Sequence, residues 1–336
     1  MDKPKKVLLL AQLGSPTAPT PEAVKSYLKE FLSDPRVMNL PAIPKALLLH
    51  GIILRKRPKA VAPKYKKVWL PEGSPLAVHT EKLAVKVNQA LGEEWDVRVV
   101  MRYGQNSLSE ALEKLKKERP TEVVLLPLFP QQAGATTGSL LEEACRKLQS
   151  FAYFPNFRFV TSFFDHEKFI SAWVNQGKKV IQKGYDHVLF SFHGLPESQI
   201  LGADPNNICL KVGCCENPKP QGYCYKAQCH QTAHKIATGL GVTKENYSIT
   251  FQSRMGKSIW IGPATDTTIT ELAKNGTKKL VVFSPAFVAD CLETLEELAI
   301  GEKENFLENG GEDFFMVPSL NDNDDFVALI EALVKP

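Results

Sequence analysis

Apolar residues in this chain come in short runs separated by longer stretches of mixed polarity. Runs of strand length occur at Val7–Leu13, Val97–Met101, Val123–Phe129 and Phe157–Phe163, and a second series at Val188–Phe192, Ser248–Phe251, Leu280–Phe283 and Phe314–Val317. Short continuous runs of this kind, bounded by Gly and Pro, predict strands buried on both faces. Amphipathic stretches of helical period lie between many of them, at Ser107–Lys117, Lys168–Lys183 and Ala227–Leu240, and Asp325–Val334 reads as a closing helix. Strand–helix alternation predicts parallel sheets covered by helices on both faces. Eight strands in two groups of four predict an α/β protein of two similar halves facing each other across a cleft. The first domain is placed at 1–160, with residues 319–336 packing back on it, and the second at 161–318.

Composition narrows the function classes. A chain of 336 residues suits two ordinary domains, and 43% hydrophobic with 23% charged residues is usual for a soluble globular protein. The net charge of +4, from 41 basic and 37 acidic residues, is too even to argue for nucleic acid. There is no G-x-G-x-x-G and no Walker loop, so no motif supports nucleotide binding. Lys3, Lys5 and Lys6 precede Val7–Leu10, but that run is short and Gly14-Ser15-Pro16 reads as a strand-ending turn rather than a cleavage site. No segment has the roughly 18 apolar residues of a membrane span. The expected location is the cytoplasm, with peripheral membrane association. That association rests on Leu47–Leu54, an apolar run followed by Arg55, Lys56, Arg57 and Lys59. An apolar lip edged by cations, near 41–60, can rest on an anionic membrane surface. A core helix with a basic end is the plainer alternative.

Three groups of residues carry candidate chemistry. His193 ends the run Val188–Phe192 and is followed by Gly194-Leu195-Pro196. The carboxyl end of a parallel strand faces the crevice where α/β sheets bind ligands, and histidine can exchange protons near neutral pH. The second group is Asp290, Glu293 and Glu297, spaced i, i+3, i+7 and so expected on one helix face. No Lys or Arg lies between Ser284 and Lys303 to pair with them. Such a stripe suits a path for a hard divalent cation, or else is simply a solvated surface. The third is cysteine. Five of the seven, Cys209, Cys214, Cys215, Cys224 and Cys229, fall in one stretch, a pattern that points to metal rather than disulfides in a reducing compartment.

These motifs together resemble the ferrochelatase family, enzymes that insert ferrous iron into a porphyrin. The likeness runs through Leu10–Pro16, Pro71–Leu76, Met101–Gly104, Thr136–Ser139, Ser191–Pro196, Phe251–Arg254 with Trp260–Thr265, and Phe287–Leu298. It implies two Rossmann-like halves, each a four-stranded parallel sheet flanked by helices, with the active site in the cleft between them. It implies that His193 removes pyrrole protons, that Glu293 is the active-site glutamate, and that Asp290, Glu293 and Glu297 form the iron path. Leu13, Ser74, Arg102, Tyr103, Ser253, Trp260 and Phe287 become candidate porphyrin contacts, with Arg57 a candidate partner for a propionate. The implied reaction is insertion of Fe2+ into protoporphyrin IX, with porphyrin and ferrous iron as partners and a homodimer left open.

Two departures from animal-type members stand out. Cys291 occupies the position where they have a histidine two residues before the glutamate, so a metal-delivery role for that histidine does not transfer. The chain also lacks their carboxyl-terminal cluster-binding extension. The cysteine-rich insertion at 203–229, C-x4-C-C-x8-C-x4-C, offers a replacement: a [2Fe–2S] cluster on four of its five cysteines, ahead of zinc. His230 and His234 are possible substitute ligands, and Cys229 is a candidate for the ordinary family scaffold. A cobalt or nickel tetrapyrrole chelatase, and a non-enzymatic two-lobed iron–sulfur protein, are the alternative functions.

Overall fold

The structure, a computed structural model, describes residues 6–215, 223–254, 256 and 258–335. Two four-stranded, all-parallel sheets organise them. The described chain divides into two compact units, the first within Met1–Phe129, Ala133–Ser162 and Asp322–Pro336, the second within Pro130–Gln132 and Phe163–Asn321.

The first sheet contains β1 (Lys6–Gln12), β2 (Trp95–Met101), β3 (Glu122–Pro127) and β4 (Asn156–Phe159), in the order β2-β1-β3-β4. The side chains of Val7 to Ala11 and Val123 to Leu126 are fully buried, which is why both strands read as unbroken apolar runs. Val7, Leu9 and Ala11 point to a core shared with Leu108, Leu112 and Leu115 on one helix and Leu140 and Ala144 on another. β4 ends at Phe159, four residues short of the expected Phe163. All four residues of β4 pair with β3, and the chain then passes into the second unit at Phe163. The helix Asp324–Val334 packs on the helix Pro75–Leu91. Lys86 reaches its start, donating to the Asp322 carbonyl at 2.7 Å and the Asp324 carboxylate at 3.1 Å. Arg158 donates to the Leu333 carbonyl at its end, at 2.9 Å.

The second sheet contains β5 (His187–His193), β6 (Tyr247–Gln252), β7 (Lys279–Phe283) and β8 (Asp313–Met316), in the order β6-β5-β7-β8. This repeats the topology of the first. In each sheet the first strand lies between the second and the third, so successive connections leave it in opposite directions. The carboxyl ends flanking that reversal form the crevice where such sheets bind ligands. In the second unit those ends belong to β5 and β7, which deliver His193 and the Ser284–Phe287 turn.

The lip segment is helical from Ala42 to Val68, with one wide turn at Leu49–Ile53. Leu49 and Leu54 face inward, while Ile43, Leu47 and Ile52 are 76%, 70% and 54% exposed. The expected lip is therefore split: part of its apolar run is core and part is bare. Among the described residues, no helix is long and apolar enough to cross a membrane.

Candidate active site

His193 is the last residue of β5, opposite Gln252 of β6. Its Nδ1 lies 2.6 Å from the Gly194 carbonyl, an acceptor, so Nδ1 carries a hydrogen and donates it. In the neutral ring that leaves the lone pair on Nε2, the form a base needs. Gly194 is required here by space: an added Cβ would lie 2.9 Å from the Gln252 carbonyl and 3.3 Å from the Trp260 ring. Gly194 N–H donates to that same carbonyl at 2.8 Å. His193, β6 and Trp260 thus meet at a turn too tight for a side chain. Phe287, half-buried after β7, places its ring centroid 6.3 Å from that of His193.

The carboxylates come from the segment after β7. Glu293–Glu302 is a wide, π-type helix rather than the expected α-helix. Glu293 and Glu297, four apart, remain neighbours on it. Burial pushes Glu297 above the ordinary carboxylate value; the Ser253 hydroxyl opposes this, the charge of Glu293 adds to it, and His193 draws it down again. Ser253 donates to Glu297 at 2.6 Å from a left-handed backbone conformation, φ 66°. His193, Glu293, Glu297 and Ser253 are therefore brought together.

Asp290 is not brought into that group. It precedes the helix, so the expected common face does not form. Its oxygens are already used: Thr294 Oγ1 donates at 3.0 Å, Ser319 N–H at 3.3 Å and Asn321 Nδ2 at 2.8 Å. Asp290, expected on the iron path, is here a buried anchor between Thr294 and the Ser319–Asn321 stretch. Cys291 is buried with its thiol pushed well above the ordinary value, by burial and then by Glu293, which it contacts.

Sequence reasoning missed the polar chain beneath the carboxylates. Gln252 donates to the Glu293 carbonyl at 3.3 Å and accepts from Ser191 at 2.8 Å. Ser191 meets Thr265 at 2.9 Å, and Thr265 donates to Thr250 at 2.9 Å. The available signal was a serine inside the apolar run Val188–Phe192: a buried hydroxyl needs a partner.

In the first unit, several candidate contacts prove to be internal. Ser74 is buried; it caps the helix Pro75–Leu91 by accepting from Ala77 N–H at 3.3 Å and meets Ser15 at 2.5 Å. Tyr103 is 1% exposed and donates to Asp34 at 2.8 Å. Arg102 donates to the same Asp34 oxygen at 2.9 Å and to Ser139 at 2.7 Å. Burial alone would raise Asp34, but donors from Ser139, Tyr103 and the Arg36 backbone, with the Arg102 charge, outweigh it and hold it below the ordinary value. Ser74 and Tyr103, both expected as porphyrin contacts, are thus buried and internally bonded in this structure. A recess of about 310 Å³ beside this network is walled by Glu30, Asp34, Arg102, Glu142, Glu143 and Arg146 among others, a charged lining unsuited to a flat apolar ring. Leu13, half-buried, follows β1, and Arg57 is exposed on the lip helix.

The cysteine-rich segment is organised by Asp204, which accepts from Asn206 N–H at 3.0 Å and Cys209 N–H at 2.6 Å. The sulfurs of Cys214 and Cys215 are 3.7 Å apart. Cys224 stands at the N-cap of the helix Tyr225–Leu240. Donation from the Cys215 thiol, aided by the Ala227 and Lys226 amides and by Cys209, draws it down to about 6 against the effect of burial. Cys215 is raised correspondingly, by holding its proton toward Cys224 and by burial, and Cys209 is pushed up to about 12 by burial and Cys224. Cys229 is fully buried beside Tyr225 and its thiol is pushed well up by burial. Burial and Lys226 lower His230 to about 4. Among the described residues, no group of three or more His, Cys, Asp or Glu side chains is arranged to hold a metal ion.

Comparison with solved structures bears on the fold. The fold matches SirB from Bacillus subtilis with Fe3+, at a TM-score of 0.54 and 10% identity over 98% of this chain and 94% of that one. It also matches the sirohydrochlorin chelatase SirB from Bacillus subtilis subspecies spizizenii in complex with cobalt, at 0.51 and 10% identity over 77% and 89%. The chain thus shares the fold of these two proteins. Sequence comparison is more specific. The family model Ferrochelatase matches residues 5–336. Ferrochelatases from Ectopseudomonas mendocina and Bdellovibrio bacteriovorus are 42% and 40% identical over 98% of this chain, and 97% and 99% of their own lengths. One from Legionella pneumophila is 39% identical over 98% of this chain and 99% of its own. The chain belongs to the ferrochelatase family, metal chelatases of the lyase class.

The raised Glu297 carboxyl has a measurable consequence. A carboxylate whose folded value is raised destabilises the fold wherever it is ionised, and does nothing below its ordinary value of 4.5, where both states are protonated. Glu297→Gln keeps an acceptor for Ser253 and removes the charge. Its melting temperature near pH 8 is expected to exceed the parent's by a few degrees, with the gain vanishing as the pH falls below about 4.5. An equal shift at both pH values would contradict the raised value.

Proposed function

We infer that this chain inserts Fe2+ into protoporphyrin IX to form protohaem, with release of two protons, the last step of haem biosynthesis. The observation that carries the reading is His193 at the carboxyl end of β5, its Nε2 lone pair free of the Nδ1 bond, beside Glu297, Glu293 and the Phe287 ring. Two porphyrin N–H bonds must break as the Fe–N bonds form. Nε2 of His193 takes a ring proton as a general base. Glu297, raised and therefore more willing to hold a proton than an ordinary carboxylate, receives it, and Glu293 beside it shares the charge. The same carboxylates offer hard oxygen ligands to arriving ferrous iron. Phe287 and Trp260 supply apolar wall to the macrocycle; the family resemblance offers Leu13 as a further apolar contact and Arg57 as a guanidinium for a propionate.

Two further assignments belong to this reading. The bare face of Ile43, Leu47 and Ile52, next to exposed Arg55, Lys56, Arg57 and Lys59, supports docking on an anionic membrane surface through which an apolar substrate arrives. Cys209, Cys214, Cys215 and Cys224 are assigned to a [2Fe–2S] centre. Their support is chemical, a run of thiol contacts around one thiolate-forming cysteine, since the described residues form no closed metal group. Cys229, sealed in the helix beside Tyr225, is left out of the set. Such a centre would supply one-electron chemistry and tie the segment together.

His193→Ala is expected to reduce iron insertion by at least a hundredfold while porphyrin still binds. Turnover and porphyrin affinity measured on one preparation decide it, and near-normal turnover removes His193 from the base role. Replacing Ile43, Leu47 and Ile52 together with Ser should lower co-sedimentation with anionic vesicles and raise the Michaelis constant for porphyrin; unchanged partitioning would leave the membrane assignment without support. Serine at each of Cys209, Cys214, Cys215 and Cys224 should bleach the visible absorption of anaerobically purified protein, whereas serine at Cys145, Cys229 or Cys291 should preserve it. Parent protein holding zinc or no metal ends the cluster assignment.

A further inference from the structure

Tyr225 has no part in the reaction described above, yet it touches the base's own backbone. It opens the helix Tyr225–Leu240 and is 7% exposed. Its hydroxyl donates to the main-chain carbonyl of His193 at 2.8 Å. That carbonyl is the last of β5, and the strand's edge explains why it needs a donor. β5 pairs with β6 as far as His193 and Gln252, but its pairing with β7 stops at Phe190 and Phe283. Carbonyls two residues apart on a strand point to the same edge, so those of Ser191 and His193 share one. The Ser284 hydroxyl, just beyond β7, donates to the Ser191 carbonyl at 3.1 Å. Tyr225 does the same for His193. Two side-chain hydroxyls therefore continue the ladder where β7 leaves it.

We propose that Tyr225 is a positioning residue for iron insertion: by fixing the final carbonyl of β5 it sets the direction in which the His193 ring leaves the strand. The proposal rests on the reading that His193 is the base. A ring nitrogen must approach a pyrrole N–H within hydrogen-bond reach, and small misplacements of a catalytic group are costly in rate. The backbone bond on the β6 side, Gly194 N–H to Gln252, fixes one edge of the turn, and Tyr225 fixes the other.

Tyr225→Phe keeps the ring's packing and removes only the donor. Turnover with Fe2+ and protoporphyrin IX under anaerobic conditions is expected to fall about tenfold in kcat, with the porphyrin KM within twofold of the parent. The imidazole resonances of ¹⁵N-histidine-labelled protein give a readout independent of activity, the His193 signals being identified by their loss in His193→Gln. They are expected to shift in Tyr225→Phe. A parental kcat, a kcat loss accompanied by a proportionate change in porphyrin KM, or an unmoved His193 resonance overturns the proposal, and the last holds even if the variant loses stability. If instead His193→Ala turns over normally, the base reading fails, while the resonance shift still reports whether Tyr225 holds His193.

Discussion

The turn at Gly194 leaves no room for a side chain, and the second unit's chemistry depends on that constraint. The Gln252 carbonyl and the Trp260 ring close on it from one direction, and the Gly194 amide bonds the same carbonyl. Because the backbone passes so closely, β6 ends beside His193, where Gln252 donates to the Glu293 main-chain carbonyl and Ser253 to the Glu297 carboxylate. A Cβ at this point would push β5 and β6 apart, and the imidazole, the serine and the carboxylate chain would lose their mutual placement together. Steric exclusion here organises charge.

The first unit solves the same topological problem and arrives at a different chemistry. Gly14 follows β1 as Gly194 follows β5, with φ +104° and a Cβ position only 2.0 Å from the Tyr103 carbonyl. Both sheets bring the end of the second strand against a glycine after the first. In the first unit the groups delivered there, Arg102 and Tyr103, turn inward to Asp34 and Ser139 and are satisfied. In the second, the imidazole nitrogen and the carboxylates are only partly satisfied by protein. Saturated polar groups hold a fold together; unsaturated ones remain available to a substrate.

The strands were legible in the sequence because doubly buried parallel strands cannot tolerate polar residues, so Val188–Phe192 or Val123–Phe129 announce themselves. His193 was legible for the same reason, as a titratable residue at the end of such a run. What the sequence could not convey was the geometry of partners far apart in the chain. Ser74, Arg102 and Tyr103 look alike as polar residues in turns, and only the structure shows Ser74 capping a helix and Arg102 and Tyr103 bonded to Asp34. Asp290, Glu293 and Glu297 share a face only on an α-helical period, whereas the chain is still turning at Asp290 and winds widely from Glu293. Cys229 was legible as a cysteine but not as the one sealed behind Tyr225, since nothing in local spacing distinguishes a thiol inside a helix core from one at its cap.

The return of the last helix to the first unit sets an order of events during synthesis. Lys86 and Arg158 hold both ends of Asp324–Val334, whose Phe326, Leu329 and Ile330 are buried. The second unit, by contrast, draws almost all of its residues from one uninterrupted stretch that ends at Asn321. On a ribosome, then, every strand around His193 has been made before the first unit receives its final packing partner. The half that is synthesised first is completed last, and until then the apolar side of Pro75–Leu91 that Asp324–Val334 covers stays bare to any chaperone or protease that reads apolar surface.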